Sequence, residues 1–365
     1  MRAFVYNAQP GRVVFGAGAW AKVPDEVDRL GVRRVLITTS RGNRPRAEEL
    51  AARLGARSAG VLDDARAHVP FEQAEDARAT AAERRADGVV SVGGGTPIGL
   101  AKAIAHALDI PVIAVPTTYS GSEMTGLSGI TRDGVKRVIA APAMLPRTVI
   151  YDPELTYDLP AAATAATGMN AVAHCVEALY VPAANPVTSL IAEAGLAALV
   201  RGLPRAVAAP RGIEGRAEAL YGACLAGMAV ATAGIAIHHK LCHVLGGTYG
   251  LGHGEANAVV LPHAVAFNAP AAVGPIARVA RAIGAAEPGL DDASAAARAA
   301  PFLFDFDTAI GAPTSLEALG LAHDALDEAA RIALELITDN PRPVDEAAVR
   351  ALLEDAWHGR RPAAA

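Results

Sequence analysis

Five of the ten histidines in this 365-residue chain fall between Gly234 and His263, in the stretch GIAIHHKLCHVLGGTYGLGHGEANAVVLPH. It opens as an apolar helix in which His239 and His243 stand one turn apart. Gly246 and Gly247 read as the stop of that helix, and His253 follows in a Gly-rich loop that begins the next one. Upstream, GMNAVAHCVEALY sets Asn170 and His174 at the same four-residue spacing, on one helical face. Four imidazoles and an amide brought together can hold a metal, stabilise an oxyanion or move a proton near neutral pH. His68, His106, His323 and His358 lack such spacing and read as packing or surface residues, while His238 and His263 stay unassigned.

A second constellation is polar and glycine-rich. In SVGGGTPIGLAKAIA a strand ends in Gly93, Gly94 and Gly95, and a helix starts at once with Thr96. Glycines admit a ligand close to the backbone, and free N–H groups of the following helix favour an anion by about 0.3–1 kcal/mol per charge. A triple glycine without Gly-x-Gly-x-x-Gly spacing is equally a tight strand-to-helix turn. The next strand tips the balance: VPTTYSGSEMT delivers Thr117, Thr118, Tyr119, Ser120 and Ser122 to the same sheet edge, where open α/β sheets bind ligands.

These residues need a scaffold. Up to about residue 155, Val- and Ile-rich runs alternate with Ala/Arg/Glu-rich helical segments, the pattern of a parallel α/β layer. RRVLITTS (33–40), DGVVSVGGG (87–95) and DIPVIAVPTT (109–118) read as buried strands, with helices such as FEQAEDARATAAERR between them. Beyond Pro160 the texture is Ala/Leu-rich and helical, with no convincing strand. The expectation is an α/β nucleotide-binding domain over 1–156, Rossmann-like with a parallel sheet, followed by an all-helical catalytic domain over 157–365. A chain of this length, 52% hydrophobic, can bury two cores. A net charge of −5 with scattered arginines offers nothing to nucleic acid. No uninterrupted apolar stretch of membrane-spanning length and no targeting segment is read, and Cys175, Cys224 and Cys242 form no paired spacing, so a cytoplasmic protein with reduced thiols is expected.

The motifs PTTYSGSEMTGLSGIT, TVIYDPELTYDLP, GMNAVAHCVEALY and HHKLCHVLGG, together with GGG, resemble the iron-containing alcohol dehydrogenase family and, within it, the maleylacetate reductases. The resemblance runs over nearly the whole chain. It implies a dehydroquinate synthase-like fold, NADH or NADPH as cofactor, and reduction of the conjugated C=C bond of maleylacetate, a dicarboxylate, to 3-oxoadipate in aromatic-compound breakdown. A homodimer is expected. Ser40, Gly93–Gly95, Thr96, Thr117, Thr118, Tyr119 and Ser122 are the implied cofactor-binding residues, and the absence of an acidic residue at Ser40, with Arg41 beside it, leaves either cofactor acceptable.

Carried over position by position, the family's metal ligands, one Asp and three His, fall on Asn170, His174, His239 and His253. The single anionic ligand is thus a neutral amide, which binds hard dications less well. On that ground no bound metal is expected, although three imidazoles alone can hold Zn²⁺. His243 and His253 are expected as the principal catalytic pair, with His239 and His174 stabilising charge. Asn170 and Lys240 are expected to bind substrate, Lys240 as a carboxylate anchor beside the histidines, though it stands about 100° round the helix from His239 and equally suits solvent. Gly99 replaces an Asp found in many relatives, removing that residue's ribose contact. A metal-dependent (Fe or Zn) alcohol or polyol dehydrogenase is the alternative, disfavoured by Asn170, and a non-catalytic nucleotide-binding protein has no need of the histidines.

Overall fold

VLITT at 35–39 and VIAVP at 112–116 are buried at every position, as befits strands covered on both faces. They lie in the first of two compact units, Gln9–Leu159 and Pro160–Ala365. The computed structural model describes Phe4, Tyr6 and residues 11–67, 69–132 and 135–363; His68 lies outside the described residues. In chain order the first unit contains β1 (Arg12–Phe15), α1 (Val23–Arg29), β2 (Val35–Thr39), α2 (Arg44–Leu54), β3 (Ser58–Leu62), α3 (Phe71–Glu83), β4 (Gly88–Gly93), α4 (Gly95–Leu108), β5 (Val112–Pro116), β6 (Leu127–Arg132), β7 (Val135–Ala140) and β8 (Thr148–Tyr151).

Six strands form one parallel sheet in the order β1-β8-β5-β4-β2-β3. Alternate side chains serve opposite layers: Val35 and Ile37 pack with Val27 of α1 and Leu50 of α2, while Leu36 and Val89 pack with Ala77 of α3 and Ile104 of α4. The chain leaves β2 for β3 on one side and β4 for β5 on the other, so the ends of β2 and β4 diverge and open a crevice at the carboxyl edge. The three strands read from the sequence are β2, β4 and β5. β1, β3 and β8 were not separable as strands because each has only four or five residues and RVVF and SAGVL are only partly buried. The antiparallel hairpin β6–β7 is likewise an addition to the parallel scheme.

The second unit is helical: α5 (Ala161–Tyr180), α6 (Pro186–Ala208), α7 (Ile213–Ala233), α8 (Ile237–Tyr249), α9 (His253–Asn268), α10 (Val273–Ala282), α11 (Asp292–Ile310), α12 (Ala325–Leu336) and α13 (Glu346–His358). No strand follows Tyr151 among the described residues. α6 begins on a reciprocal cap between Asn185 and Thr188 with Pro186 in its first turn. By length and composition α6 is apolar enough to cross a bilayer, although Glu193, Arg201 and Arg205 interrupt it; half of that window is buried inside the protein, as in a core helix. A core of Leu241, Leu245, Val260, Leu326 and Leu353 joins α8, α9, α12 and α13. Gly246 and Gly247 do not end α8, because helical backbone needs no side chain there. The helix runs to Tyr249 and stops at Gly250, which adopts the left-handed conformation with φ 71°. All three cysteines are free and buried.

Candidate functional site

The glycine turn sits at the crevice. Gly94 is the N-cap of α4 and supplies no side-chain cap, leaving first-turn N–H groups for a ligand. A Cβ at Gly94 would stand 3.0 Å from Thr118 Oγ1 and Cγ2, so glycine is what lets the loops after β4 and β5 lie together. Thr117 N–H donates to the Gly93 carbonyl at 3.1 Å, tying those loops, and Asn43 Nδ2 reaches Thr117 Oγ1 at 3.4 Å. Thr118 Oγ1 is buried and has no hydrogen-bond partner, as expected of a hydroxyl shaped for a ligand. Thr96 is half-buried in the first turn of α4. Tyr119, by contrast, is wholly buried in the core. Ser40, at the end of β2, lines a cavity of about 510 Å³ with Arg41, Gly42, Asp64, Ala65 and Arg66.

Lys102 was not singled out from the sequence. Fully buried on α4, it donates to Thr125 Oγ1 at 3.0 Å, to the Leu127 carbonyl at 2.8 Å and to the carbonyl and hydroxyl of Ser122. Ser122 is therefore held by a lysine whose pKa burial pushes down to about 7, against the opposing pull of Glu123. Glu123 accepts from Tyr151 at 2.8 Å and from Ser120 at 3.3 Å, and burial raises its pKa. A lone Lys in the apolar run GLAKAIA was the available signal.

In the helical unit, α5 presents Asn170, His174 and Glu177 on one face at i, i+4 and i+7. The His174 and His239 rings stack at 4.4 Å between centroids, tilted 10°. The His243 ring lies 6.5 Å and the His253 ring 6.3 Å from His239, and these two lie 5.9 Å apart, tilted 20°. The predicted convergence of four imidazoles and an amide is thus present in one unit. Gly254 permits it: a Cβ there would press to 3.0 Å on the Ala166 backbone, so only glycine lets the start of α9 reach α5. Asn170, His174 and His239 are buried, whereas His243, His253 and Lys240 are half-buried.

A carboxylate the sequence reading passed over organises the cluster. Glu177 Oε2 lies 2.7 Å from His239 Nδ1, and Oε1 accepts the His238 N–H at 3.0 Å and the Tyr180 hydroxyl at 3.3 Å. His238 Nε2 lies 3.0 Å from the Asn257 carbonyl, which can only accept, and 3.7 Å from Cys242 Sγ, so Nε2 carries the proton and leaves His238 Nδ1 bare. That bare nitrogen is 3.1 Å from His239 Nδ1, which with the carboxylate makes His239 Nδ1 the donor. The lone pair of His239 therefore sits on Nε2, 3.4 Å from Asn170 Oδ1. Two acceptors face each other there, a conflict removed by reversing the amide or by a shared cation. Burial raises Glu177 to about 7 against its hydrogen bonds, and lowers His174 to about 3 and His238 to about 4. His239 is lowered too, first by burial and then by the neighbouring imidazoles.

These atoms fit a divalent transition metal. His174 Nδ1 is buried without a partner, His239 Nε2 is a free lone pair, and imidazoles suit such ions. Glu177, behind His239, is placed to supply on ionisation the negative charge that Asn170 lacks, in the carboxylate–histidine arrangement typical of metal sites. His263, T-shaped on Phe304 at 6.4 Å with Nε2 unpartnered, stands outside the cluster. His106 is exposed, and His323 and His358 flank Glu354 at the surface.

A parallel sheet with a glycine turn at its switch point and a helical unit with a buried histidine cluster define an oxidoreductase of one class: the chain belongs to the iron-containing alcohol dehydrogenase family. The family model "Iron-containing alcohol dehydrogenase" matches residues 10–153, and "Fe-containing alcohol dehydrogenase family, C-terminal" matches 164–357. Maleylacetate reductase of Burkholderia cepacia is 43% identical over 362 residues, 99% of this chain and 100% of that protein. The crystal structure of maleylacetate reductase from Agrobacterium tumefaciens superposes with a TM-score of 0.91 at 44% identity, covering 99% and 100% of the two chains. An iron-containing alcohol dehydrogenase from Corynebacterium glutamicum gives 0.91 at 40%, covering 99% and 98%. The expectation of no metal is corrected by this membership: the family points to an iron or other metal cofactor. The argument from Asn170 failed because it counted only directly contacting side chains and missed Glu177 one hydrogen bond behind them.

Proposed function

We propose that this chain is an NAD(P)H-dependent reductase of maleylacetate, converting its conjugated C=C bond to the saturated bond of 3-oxoadipate in aromatic-compound degradation, and that it acts in the cytoplasm as a homodimer. The observation that carries the reading is end-to-end likeness to maleylacetate reductases with the histidine cluster intact.

Reduced nicotinamide, when bound, supplies the hydride. Ser40, Gly93, Gly94, Gly95, Thr96, Thr117, Thr118 and Ser122 bind it, the uncapped start of α4 receiving its phosphates. Asn170, His174, His239 and His253 would hold a divalent ion, which supplies positive charge to polarise the substrate's carbonyl oxygen. As the double bond is reduced, charge moves onto the conjugated ketone oxygen and a carbon must be protonated. His243, one of the more accessible imidazoles, delivers that proton, a task worth about 10²–10⁴-fold, while His253 acts on that oxygen through the ion it would hold. His239 is held in one tautomer by Glu177, and its orientation keeps His174 stacked behind it. Lys240, half-buried and without an ion pair among the described residues, anchors a substrate carboxylate.

Mixing purified protein, NADH or NADPH and maleylacetate, and following absorbance of the reduced cofactor, tests the reading. Rapid consumption is expected, with almost no turnover of primary alcohols by the oxidised cofactors. Preference for alcohols would instead make the chain an alcohol dehydrogenase.

A further inference from the structure

On the surface of the helical unit two of the histidines read as packing or surface residues converge on one carboxylate. His323, in the loop before α12, places Nε2 at 3.2 Å from Glu354 Oε1 and 3.0 Å from Oε2. His358, one turn after Glu354 on α13, places Nε2 at 2.9 Å from Oε1. The three ligand atoms all lie within 4.8 Å of one another. Tetrahedral Zn²⁺ with bonds of about 2.0–2.1 Å has ligand–ligand edges of roughly 3.3 Å, so both histidine-to-Oε1 distances are within a few tenths of an ångström of what a zinc ion needs.

The frame around the three residues is built rather than floppy. The Trp357 indole stands edge-on to both imidazoles, 4.7 Å from His323 at 78° and 4.9 Å from His358 at 86°. The indole is itself fixed, since its Nε1 donates to the Leu321 carbonyl at 2.8 Å, and Leu316 N–H donates to the Ala356 carbonyl at 3.0 Å. Arg350 holds Glu354 Oε2 and is paired in turn with Asp327 at 2.6 Å, which leaves Oε1 as the oxygen between the two rings. A carboxylate hydrogen-bonded on one oxygen and aimed on the other is the outer-shell arrangement that orients a metal ligand. Arg350 first, then His323, holds the carboxyl at about 2, so it is ionised at neutral pH. Side-chain exposures of 49%, 25% and 39% for His323, Glu354 and His358 leave a way in for an ion and room for water.

We propose that His323, Glu354 and His358 form a second metal site, distinct from the histidine cluster of α5, α8 and α9. It takes a divalent ion of the Zn²⁺ class through two imidazoles and one carboxylate oxygen, with water completing the shell. Two nitrogen donors select against Mg²⁺ and Ca²⁺. Bound there, the ion cross-links the loop before α12 to the last helix, α13, and stabilises the folded chain by mass action.

Equilibrium dialysis of the whole chain against Zn²⁺ alone tests this, with His323→Gln, His358→Gln and Glu354→Gln alongside. The histidine cluster is the same in all four proteins, so the difference in zinc number reads only the surface site. The intact chain is expected to hold one more zinc than each variant, and its melting temperature to rise with zinc where theirs does not. Equal zinc numbers, or a zinc-dependent rise kept by the variants, would overturn the proposal. An independent reading uses Trp20→Phe, in which Trp357 is the remaining one of the chain's two tryptophans. Cu²⁺ near stoichiometry should quench its emission, and unchanged emission would likewise overturn the site.

Discussion

Glu177 and Asp307 are both carboxylic acids buried in the helical unit, and they could hardly be treated more differently. Glu177 receives a backbone N–H, an imidazole and a phenol. Neither oxygen of Asp307, on α11, has any hydrogen-bond partner, and burial alone drives its pKa well above the usual carboxylate range. The contrast separates a buried charge that is built in from a buried acid that is merely enclosed. Donors around Glu177 favour its ionised form beside the histidine cluster, whereas nothing around Asp307 compensates ionisation and burial favours its neutral form.

Four measurements would sharpen or break that comparison. The largest effect belongs to the imidazoles that neighbour the Glu177-bound His239: His243→Ala or His253→Ala should lower kcat by about 10²–10⁴-fold with cofactor affinity nearly intact, since neither lies in the phosphate loops. A variant with unchanged kcat would remove that residue from the mechanism. Next, Glu177→Gln keeps the shape but removes the charge, and divalent-metal affinity measured by dialysis should fall about 10–100-fold. An unchanged affinity would mean that Glu177 is as idle as Asp307.

Asp307→Leu should do the opposite of most core substitutions and stabilise the protein by roughly 1–3 kcal/mol at pH 7, read by denaturant unfolding, because an unsatisfied polar group is replaced by an apolar one. The pH dependence has a definite sign. A carboxyl whose folded pKa is raised contributes its stability below the unfolded value of about 3.9, and that contribution is lost as pH rises toward the folded value. The advantage of Asp307→Leu should therefore grow from pH 4 to pH 7, and a constant advantage would show that Asp307 is not protonated in the fold. The smallest effect is expected of His238→Asn, which removes one acceptor from His239 Nδ1 but leaves Glu177: metal affinity should weaken less than about tenfold. A loss equal to that of Glu177→Gln would shift the tautomer control to His238.

Much of this was legible in the chain itself. The change from α/β to helical texture near residue 155, the strands β2, β4 and β5, the glycine turn with its threonine neighbours, and the one-turn spacings Asn170/His174 and His239/His243 are local patterns, each contained within one element and one period. What failed were judgements about neighbours. Gly246 and Gly247 looked like a helix stop, yet α8 is held by core contacts of Leu241 and Leu245 and continues to Tyr249. Asn170 looked like the loss of an anion, yet the anion stands on the same helix at Glu177. Its i+7 position was visible, but its bond to His239, 62 residues on, was not.

Periodicity determines which residues share a face of one helix, because backbone geometry repeats every 3.6 residues irrespective of what lies across from it. That decided, from sequence alone, that Asn170 and His174 share a helical face and that His239 and His243 do. Which faces meet depends on packing between distant segments, and only the tertiary structure shows it. There α5 and α8 bring Glu177 against His239, the missing side chain of Gly254 admits His253, and His238 is turned inward while His263 is left outside. Protonation is decided at the same level, since whether a buried acid is a charge or a neutral group is set by the donors that long-range packing places around it.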